Sequence, residues 1–143
     1  MRKIIITFIL FMGLFTMNAF AQTTKIKLTF EGNEIYALIN NSKAGDDFLS
    51  LLPLSVKAED FNSTEKIFYL NKKLNTKNEP DGITPKAGDI TYYAPWGNIA
   101  IFYRDFRYSN NLIYLGRFEN VSDVEKLSNM KGDFDIRIER GIK

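Results

Sequence analysis

Aromatic side chains are concentrated in one stretch of the sequence, which also contains its single tryptophan. Seven of them lie between Tyr92 and Tyr108, and the tryptophan stands in a Pro-Trp-Gly-Asn turn. Aromatic walls with a few polar groups bind peptide segments, planar molecules and sugars. The alternative is that these rings pack in the core, since aromatic residues dominate many cores. We predict a ligand-binding groove with four site residues: Trp96, Asn98, Tyr103 and Arg104.

The composition excludes much of the common catalytic repertoire. The 143 residues include no His and no Cys. Ser-His-Asp and Cys-His sets, thiol redox chemistry and disulfides are therefore excluded, together with the usual zinc, copper and haem ligand sets. We predict no catalytic residues, no metal and no cofactor, and we favour a protein that is not an enzyme.

The remaining charged groups allow weaker interpretations. Acidic residues cluster at three places: Asp46 with Asp47, Asp133 with Asp135, and Glu59 with Asp60 and Glu65. The first two clusters contain ligands for a hard cation but lack the spacing of an EF-hand, so we interpret them as a helix N-terminus and a solvated strand face. The third brackets a turn and allows a carboxylate acid/base couple. Arg104 and Arg107 flank Asp105, which favours a local ion pair over an anion site.

The N-terminal 21 residues have the pattern of a secretory signal peptide. Arg2 and Lys3 precede an apolar run from Ile4 to Met17, and Ala-Phe-Ala ends at Ala21. This predicts cleavage after Ala21 and export to the periplasm or the exterior. Without Arg2 and Lys3, the 19 basic residues become 17 and equal the 17 acidic ones. We therefore expect one domain over 22–143, a monomer that binds neither nucleic acid nor, after cleavage, a membrane.

Short alternating segments dominate the mature chain. Lys25 to Phe30 alternates polar and apolar residues, which predicts a half-buried strand, and the segment from Ser42 to Leu52 has helical spacing. From Asn71 to Gly88 the sequence is a polar loop. Loops of this length are often functional or mobile, so we predict that this one forms the rim of a site. The predicted strands are 25–30, 34–39, 54–58, 65–70, 89–94, 99–104, 112–118 and 133–140, and the predicted helices are 42–52 and 123–130.

These elements predict a fold of the mainly β class. About eight short strands with only two short helices favour an antiparallel sheet closed, or nearly closed, into a barrel. Pairing of the first and last strands would leave no exposed edge.

The segment from Gly88 to Tyr103 resembles the signature of a bacterial family of small cyclophilin-like domain proteins. In that family, Gly-Asp, an aromatic strand, Pro-Trp-Gly-Asn and an apolar strand recur in this order, and similarity extends over positions 24–140. The resemblance implies a closed cyclophilin-like β-barrel with a helix at each end and no established activity. True cyclophilins isomerise the bond before proline with an Arg, a Gln and a His, whereas the only Gln of this chain is Gln22.

The sequence thus predicts an exported, non-enzymatic binding module for a peptide segment or a small ligand. One alternative is a weak or degenerate prolyl isomerase, in which Arg104 or Arg107 donates a hydrogen bond to the proline nitrogen, and another is a purely structural or interaction protein that uses the long loop. The isomerase mechanism needs no proton transfer, so the missing His does not forbid it.

Overall fold

The computed structural model of this chain describes residues 22–142. The predicted signal peptide therefore lies outside the described residues. The first elements of the described residues are a hairpin of β1, Thr23–Phe30, and β2, Asn33–Asn40, joined by a turn in which Glu31 and Gly32 both have positive φ. Alternate residues of both strands are buried, because every second side chain points into the molecule.

The remaining elements are α1, Lys43–Ser50; β3, Leu54–Phe61; β4, Glu65–Tyr69; β5, Gly82–Ile83; β6, Asp89–Tyr93; β7, Asn98–Phe102; β8, Ser109–Asn110; β9, Leu112–Phe118; α2, Val124–Ser128; and β10, Phe134–Arg140. Eight strands form a closed antiparallel barrel in the order β1-β10-β3-β4-β7-β6-β9-β2. The two others, β5 and β8, form a separate two-stranded ribbon.

The predicted barrel class, strand order along the chain and two helices are confirmed. β1 pairs with both β2 and β10, so the strands nearest the two termini close the barrel. The sequence did not predict β5 and β8, because two-residue strands carry no periodicity. The part of the chain that the structure describes contains no helix with the length and apolar character of a membrane span.

The core fills the barrel, and a helix covers each end. Ser42 caps α1 by accepting a hydrogen bond from the Gly45 amide at 3.0 Å, and Phe48 of this helix is buried in the core. Leu127 of α2 is also fully buried. The Arg140 guanidinium, at the end of β10, donates to the Leu49 carbonyl, whereas α2 lies just before β10 begins. The two helices therefore close opposite ends.

A second apolar cluster lies on the outer surface of the barrel wall. All five residues of β7 are buried, which requires cover on both faces of this strand. The outward side chains of Ile67, Ala100, Phe102 and Leu112 form the cluster, and Ile83 of the ribbon packs on them. Part of the long loop thus runs across the barrel wall and shelters apolar side chains there.

Candidate functional site

A cavity of about 460 Å³ opens on the outer barrel wall. Its floor is the apolar cluster, represented by Ile67 of β4, Phe102 of β7 and Leu112 of β9. Aromatic residues form its two sides: Phe61, Tyr93 and Trp96 on one, and Phe106 and Tyr108 on the other. We call this space the aromatic cavity.

Trp96 forms an exposed wall of the aromatic cavity. The amides of Trp96 and Gly97 both donate to the Tyr93 carbonyl, at 3.3 and 2.9 Å, and Gly97 has a φ of 70°. The indole meets the Phe61 and Tyr93 rings edge-on, with centroids 5.6 and 5.4 Å away. It remains 53% exposed. The turn and the two rings thus hold a large aromatic surface at the cavity without burying it.

The opposite wall is the segment between β7 and β9. The Phe106 amide donates to the Pro85 carbonyl at 3.1 Å, and the Phe106 ring stacks on Phe102 with centroids 6.4 Å apart. The Arg107 guanidinium lies 4.8 Å from the Phe106 ring centroid, at the exposed edge. Pairing of β5 with β8 ties this wall to the long loop. The long loop therefore holds this wall of the aromatic cavity in place.

Asn98, at the wall of the aromatic cavity, has a buried side-chain oxygen without a hydrogen-bond donor among residues 22–142. Its side chain lines the cavity although the residue is only 2% exposed. The amide nitrogen donates to the Ile99 carbonyl at 3.2 Å. No donor among residues 22–142 reaches Asn98 Oδ1. Buried polar atoms nearly always have a hydrogen-bond partner, so this atom needs a specific explanation.

Glu65 lies in the same cavity, at the start of β4, and is partly buried. Burial, followed by the nearby negative charge of Asp60, raises the pKa of Glu65 to about 7. No hydrogen bond or opposite charge contributes to this pKa. Glu65 is therefore a carboxyl group without a counterion within the described range, and it titrates near neutral pH.

The structure divides the four predicted site residues between two places. Trp96 and Asn98 line the aromatic cavity, whereas Tyr103 and Arg104 line a second cavity of about 310 Å³. Period-two alternation explains the division, because Phe102 faces the outer wall and Tyr103 faces the opposite way. The four residues therefore do not form one groove.

The second cavity contains a satisfied polar network. The Tyr103 hydroxyl donates to Asp60 Oδ1 at 2.7 Å, and the buried Lys66 ammonium lies 3.0 Å from the same atom. Lys66 also donates to the Met130 carbonyl at 2.9 Å. Burial and then the hydrogen bond to Asp60 raise the pKa of Tyr103 to about 12. Burial opposes ionisation of Asp60, but the bonds from Tyr103 and Lys66 prevail and lower its pKa.

Comparison with known proteins identifies the family of this barrel. The model of the cyclophilin-like family matches residues 28–139, which is most of the chain. The chain belongs to the cyclophilin-like family. The structure is also similar to the solution structure of a hypothetical protein from Archaeoglobus fulgidus, with a TM-score of 0.62 and 18% identity over 87% of this chain and all of the other. That likeness supports the fold. No curated protein gives a significant match.

Two residues of the aromatic cavity are absent from the groove that the sequence predicts. The sequence predicts Glu65 only as a member of a carboxylate acid/base couple, and Phe61 is distant from the Trp96 turn along the chain. One signal was available: Asn98 and Phe102 are four residues apart on a strand and must share a face. Residues 22–142 contain no group of three or more His, Cys, Asp or Glu side chains arranged to hold a metal ion.

Proposed function

We propose that this cyclophilin-like protein is a non-enzymatic binding module that holds a peptide segment or a small ligand in the aromatic cavity. The observation that carries the proposal is Asn98 Oδ1, which is buried in the cavity wall and has no donor within the described residues. Leaving a buried acceptor unpaired costs about 1–3 kcal/mol. A ligand N–H or O–H group at this position recovers that free energy.

The shape and lining of the cavity support the same proposal. Its volume of about 460 Å³ is within the range of ligand pockets. Phe61, Trp96 and Tyr108 are large apolar side chains that stay exposed at its rim. Exposed apolar surface gathered around a cavity is typical of a binding site rather than of ordinary protein surface. Of the four predicted site residues, Trp96 and Asn98 belong to the proposed binding site.

A calorimetric screen of peptide and metabolite libraries tests this function. Trp96→Ala is expected to weaken binding of the compounds recovered by at least about tenfold, as loss of a central aromatic contact does. Tyr69→Ala is the matched control, because Tyr69 is 55% exposed and does not line the cavity. If Trp96→Ala and Tyr69→Ala bind all recovered compounds equally well, the aromatic cavity is not the binding site.

Weak prolyl isomerase activity is the second candidate, and one observation favours it. Arg107 lines the aromatic cavity and is available to donate to a proline nitrogen, whereas Arg104 lines the other cavity. A protease-coupled assay with a proline peptide distinguishes the two functions. A rate equal to the uncatalysed rate eliminates the isomerase, and a faster rate that is lost in Arg107→Ala establishes it.

We also propose that the protein acts outside the inner membrane, as a monomer, after cleavage behind Ala21. The charged start, the apolar run and the Ala-Phe-Ala sequence support export. Mass spectrometry of the protein recovered after expression of the full chain tests this, with a mature chain starting at Gln22 as the expected result. Retention of residues 1–21 in the membrane fraction would contradict it.

A further inference from the structure

The two polar groups withdrawn from solvent on the floor of the aromatic cavity are both acceptors. Asn98 Oδ1 lacks a donor within residues 22–142, and the Glu65 carboxyl lacks a counterion there. A ligand that complements both groups must supply hydrogen-bond donors, and at Glu65 it is best also positively charged.

The two groups stand at opposite ends of the cavity floor. In the pairing of β4 with β7, Glu65 is opposite Phe102 and Tyr69 is opposite Asn98. Four residues of strand separate the two rows, which corresponds to about 13 Å. Ile67 and Ala100 form the pair between them, on the outer face of the wall. The floor is thus an apolar strip with an acceptor at each end, and it fits an elongated ligand.

The aromatic walls add to the preference for a positive ligand. The faces of aromatic rings carry negative potential and attract cations. Phe61 is opposite Glu65 in the β3–β4 pairing, and its ring touches Trp96, so aromatic surface continues along the cavity from the Glu65 end. The cation on the opposite wall, Arg107, lies over Phe106 at the exposed edge and does not lower the pKa of Glu65.

We propose that the ligand is an organic cation, an inference that rests on the proposed function. It has an apolar or aromatic body, an ammonium or guanidinium group that pairs with Glu65, and an N–H or O–H group that donates to Asn98 Oδ1.

Binding of such a cation must depend on pH. Asp60 of β3 and Tyr103 interact electrostatically with Glu65, and the titratable or charged groups that share its cavity are Tyr93, Arg107 and Tyr108. Lys66 is paired with Asp60, and Tyr103 has a pKa of about 12, so Glu65 is the group that changes charge near pH 7. An alkylammonium ligand stays protonated there, so its affinity rises by about tenfold between about pH 6 and about pH 8 as Glu65 ionises.

Three probes that share a phenol ring test this inference: tyramine, which is a cation; para-ethylphenol, which is neutral; and para-hydroxyphenylpropionate, which is an anion. Binding is followed by NMR, with the Trp96 indole N–H and the Asn98 side-chain amide as reporters. Tyramine is expected to bind at least about tenfold more tightly than the anion at pH 8, with the pH dependence given above.

Glu65→Gln is expected to remove both the preference for tyramine and its dependence on pH. Glu59→Gln is the matched control, since Glu59 is an exposed carboxylate on the neighbouring strand and does not line the cavity. The amide spectrum of each variant establishes that it is folded. Binding at the reporters without preference for the cation overturns this inference alone. Absence of binding by all three probes also overturns this inference, whereas the proposed function fails only if the calorimetric screen recovers no compound whose binding depends on Trp96.

Discussion

At the scale of single residues, the aromatic cavity and the second cavity differ in whether their buried polar groups have hydrogen-bond partners. Lys66 is 2% exposed, but it has Asp60 and the Met130 carbonyl as partners and lies within 6 Å of the Tyr103 ring centroid. Asn98 is equally buried and has no donor for its oxygen within residues 22–142. A completed network indicates a structural role, whereas an incomplete one in a cavity wall indicates a place for a ligand.

Replacement of Asn98 by Leu is expected to stabilise the ligand-free protein while weakening its binding. Removal of an unsatisfied acceptor raises the free energy of unfolding by about 1 kcal/mol, measured by urea denaturation. Thr91→Val is the control, because the Thr91 hydroxyl is buried but donates to the Ala100 carbonyl at 2.8 Å. That variant should lose stability. If both substitutions lower the free energy of unfolding, the Asn98 side chain stabilises the fold through its packing.

Replacement of Asp60 by Asn is expected to destabilise the protein, because it leaves the Lys66 ammonium buried without a counterion. Asp60 itself is exposed, so the expected loss is smaller than for a fully buried pair and is about 1–3 kcal/mol. The double variant Asp60→Asn with Lys66→Met has no unpaired charge and should recover most of this loss. Urea denaturation of both proteins measures the difference. Equal stability of the single variant and the original protein would contradict a structural role for the pair.

At the scale of elements, one wall of the aromatic cavity is held by a pair of strands that are too short to be predicted from the sequence. β5 and β8 contribute two residues each, and their pairing, with the Phe106 amide bonded to Pro85, fixes the wall that contains Phe106 and Tyr108. The polar composition of the loop between β4 and β6 suggested a rim for a site. Its Leu74 and Pro85 are buried, so the loop is packed on the barrel and is itself part of the support.

Replacement of Gly82 by Ala is expected to disturb the wall more than the barrel. An added Cβ at Gly82 collides with the Ser109 carbonyl and lies 2.8 Å from the Tyr108 hydroxyl. Hydrogen exchange at 109–111 should become faster and ligand binding weaker, while the free energy of unfolding falls by only about 1 kcal/mol, because the ribbon stands outside the core. Thr84→Ala, at an exposed neighbouring position, is the control. If hydrogen exchange at 109–111 is unchanged in Gly82→Ala, the β5–β8 ribbon is not needed to hold the wall in place.

At the scale of the whole molecule, closure of the barrel pairs the first described strand with the last. β10 pairs with β1 on one side and β3 on the other, and its Phe134, Ile136 and Ile138 all point into the core. The aromatic cavity lies on the outer surface of strands whose inner faces form this core. The precision of the site therefore depends on a barrel that stays closed.

Deletion of residues 134–143 is expected to abolish cooperative unfolding. It removes three buried side chains and leaves the edges of β1 and β3 unpaired. Domains are usually stable by only about 5–15 kcal/mol, and the expected loss in the free energy of unfolding exceeds that range. Circular dichroism during thermal denaturation measures the effect. Deletion of only 142–143 is the control, since Ile142 is 89% exposed. A sharp transition in the longer deletion would contradict the role of closure.

The sequence by itself determined the class of fold, the eight strands of the barrel and the family. These properties are carried by local features: alternation from Lys25 to Phe30 sets the faces of a strand, and the segment from Gly88 to Tyr103 carries the family resemblance. The helix with Phe48 was likewise predicted from spacing alone, because one face had to be apolar. Each of these features is contained in neighbouring residues, so no tertiary contact is needed to recognise it.

Only the tertiary structure decided which of these residues meet. Trp96 and Asn98 share a cavity with Glu65, which comes from another strand, while Tyr103 and Arg104 lie elsewhere. The raised pKa of Glu65 and the unpaired oxygen of Asn98 both arise from burial by residues distant in the chain. Burial and partner choice depend on how strands pack side by side around the barrel, and no local pattern contains that information.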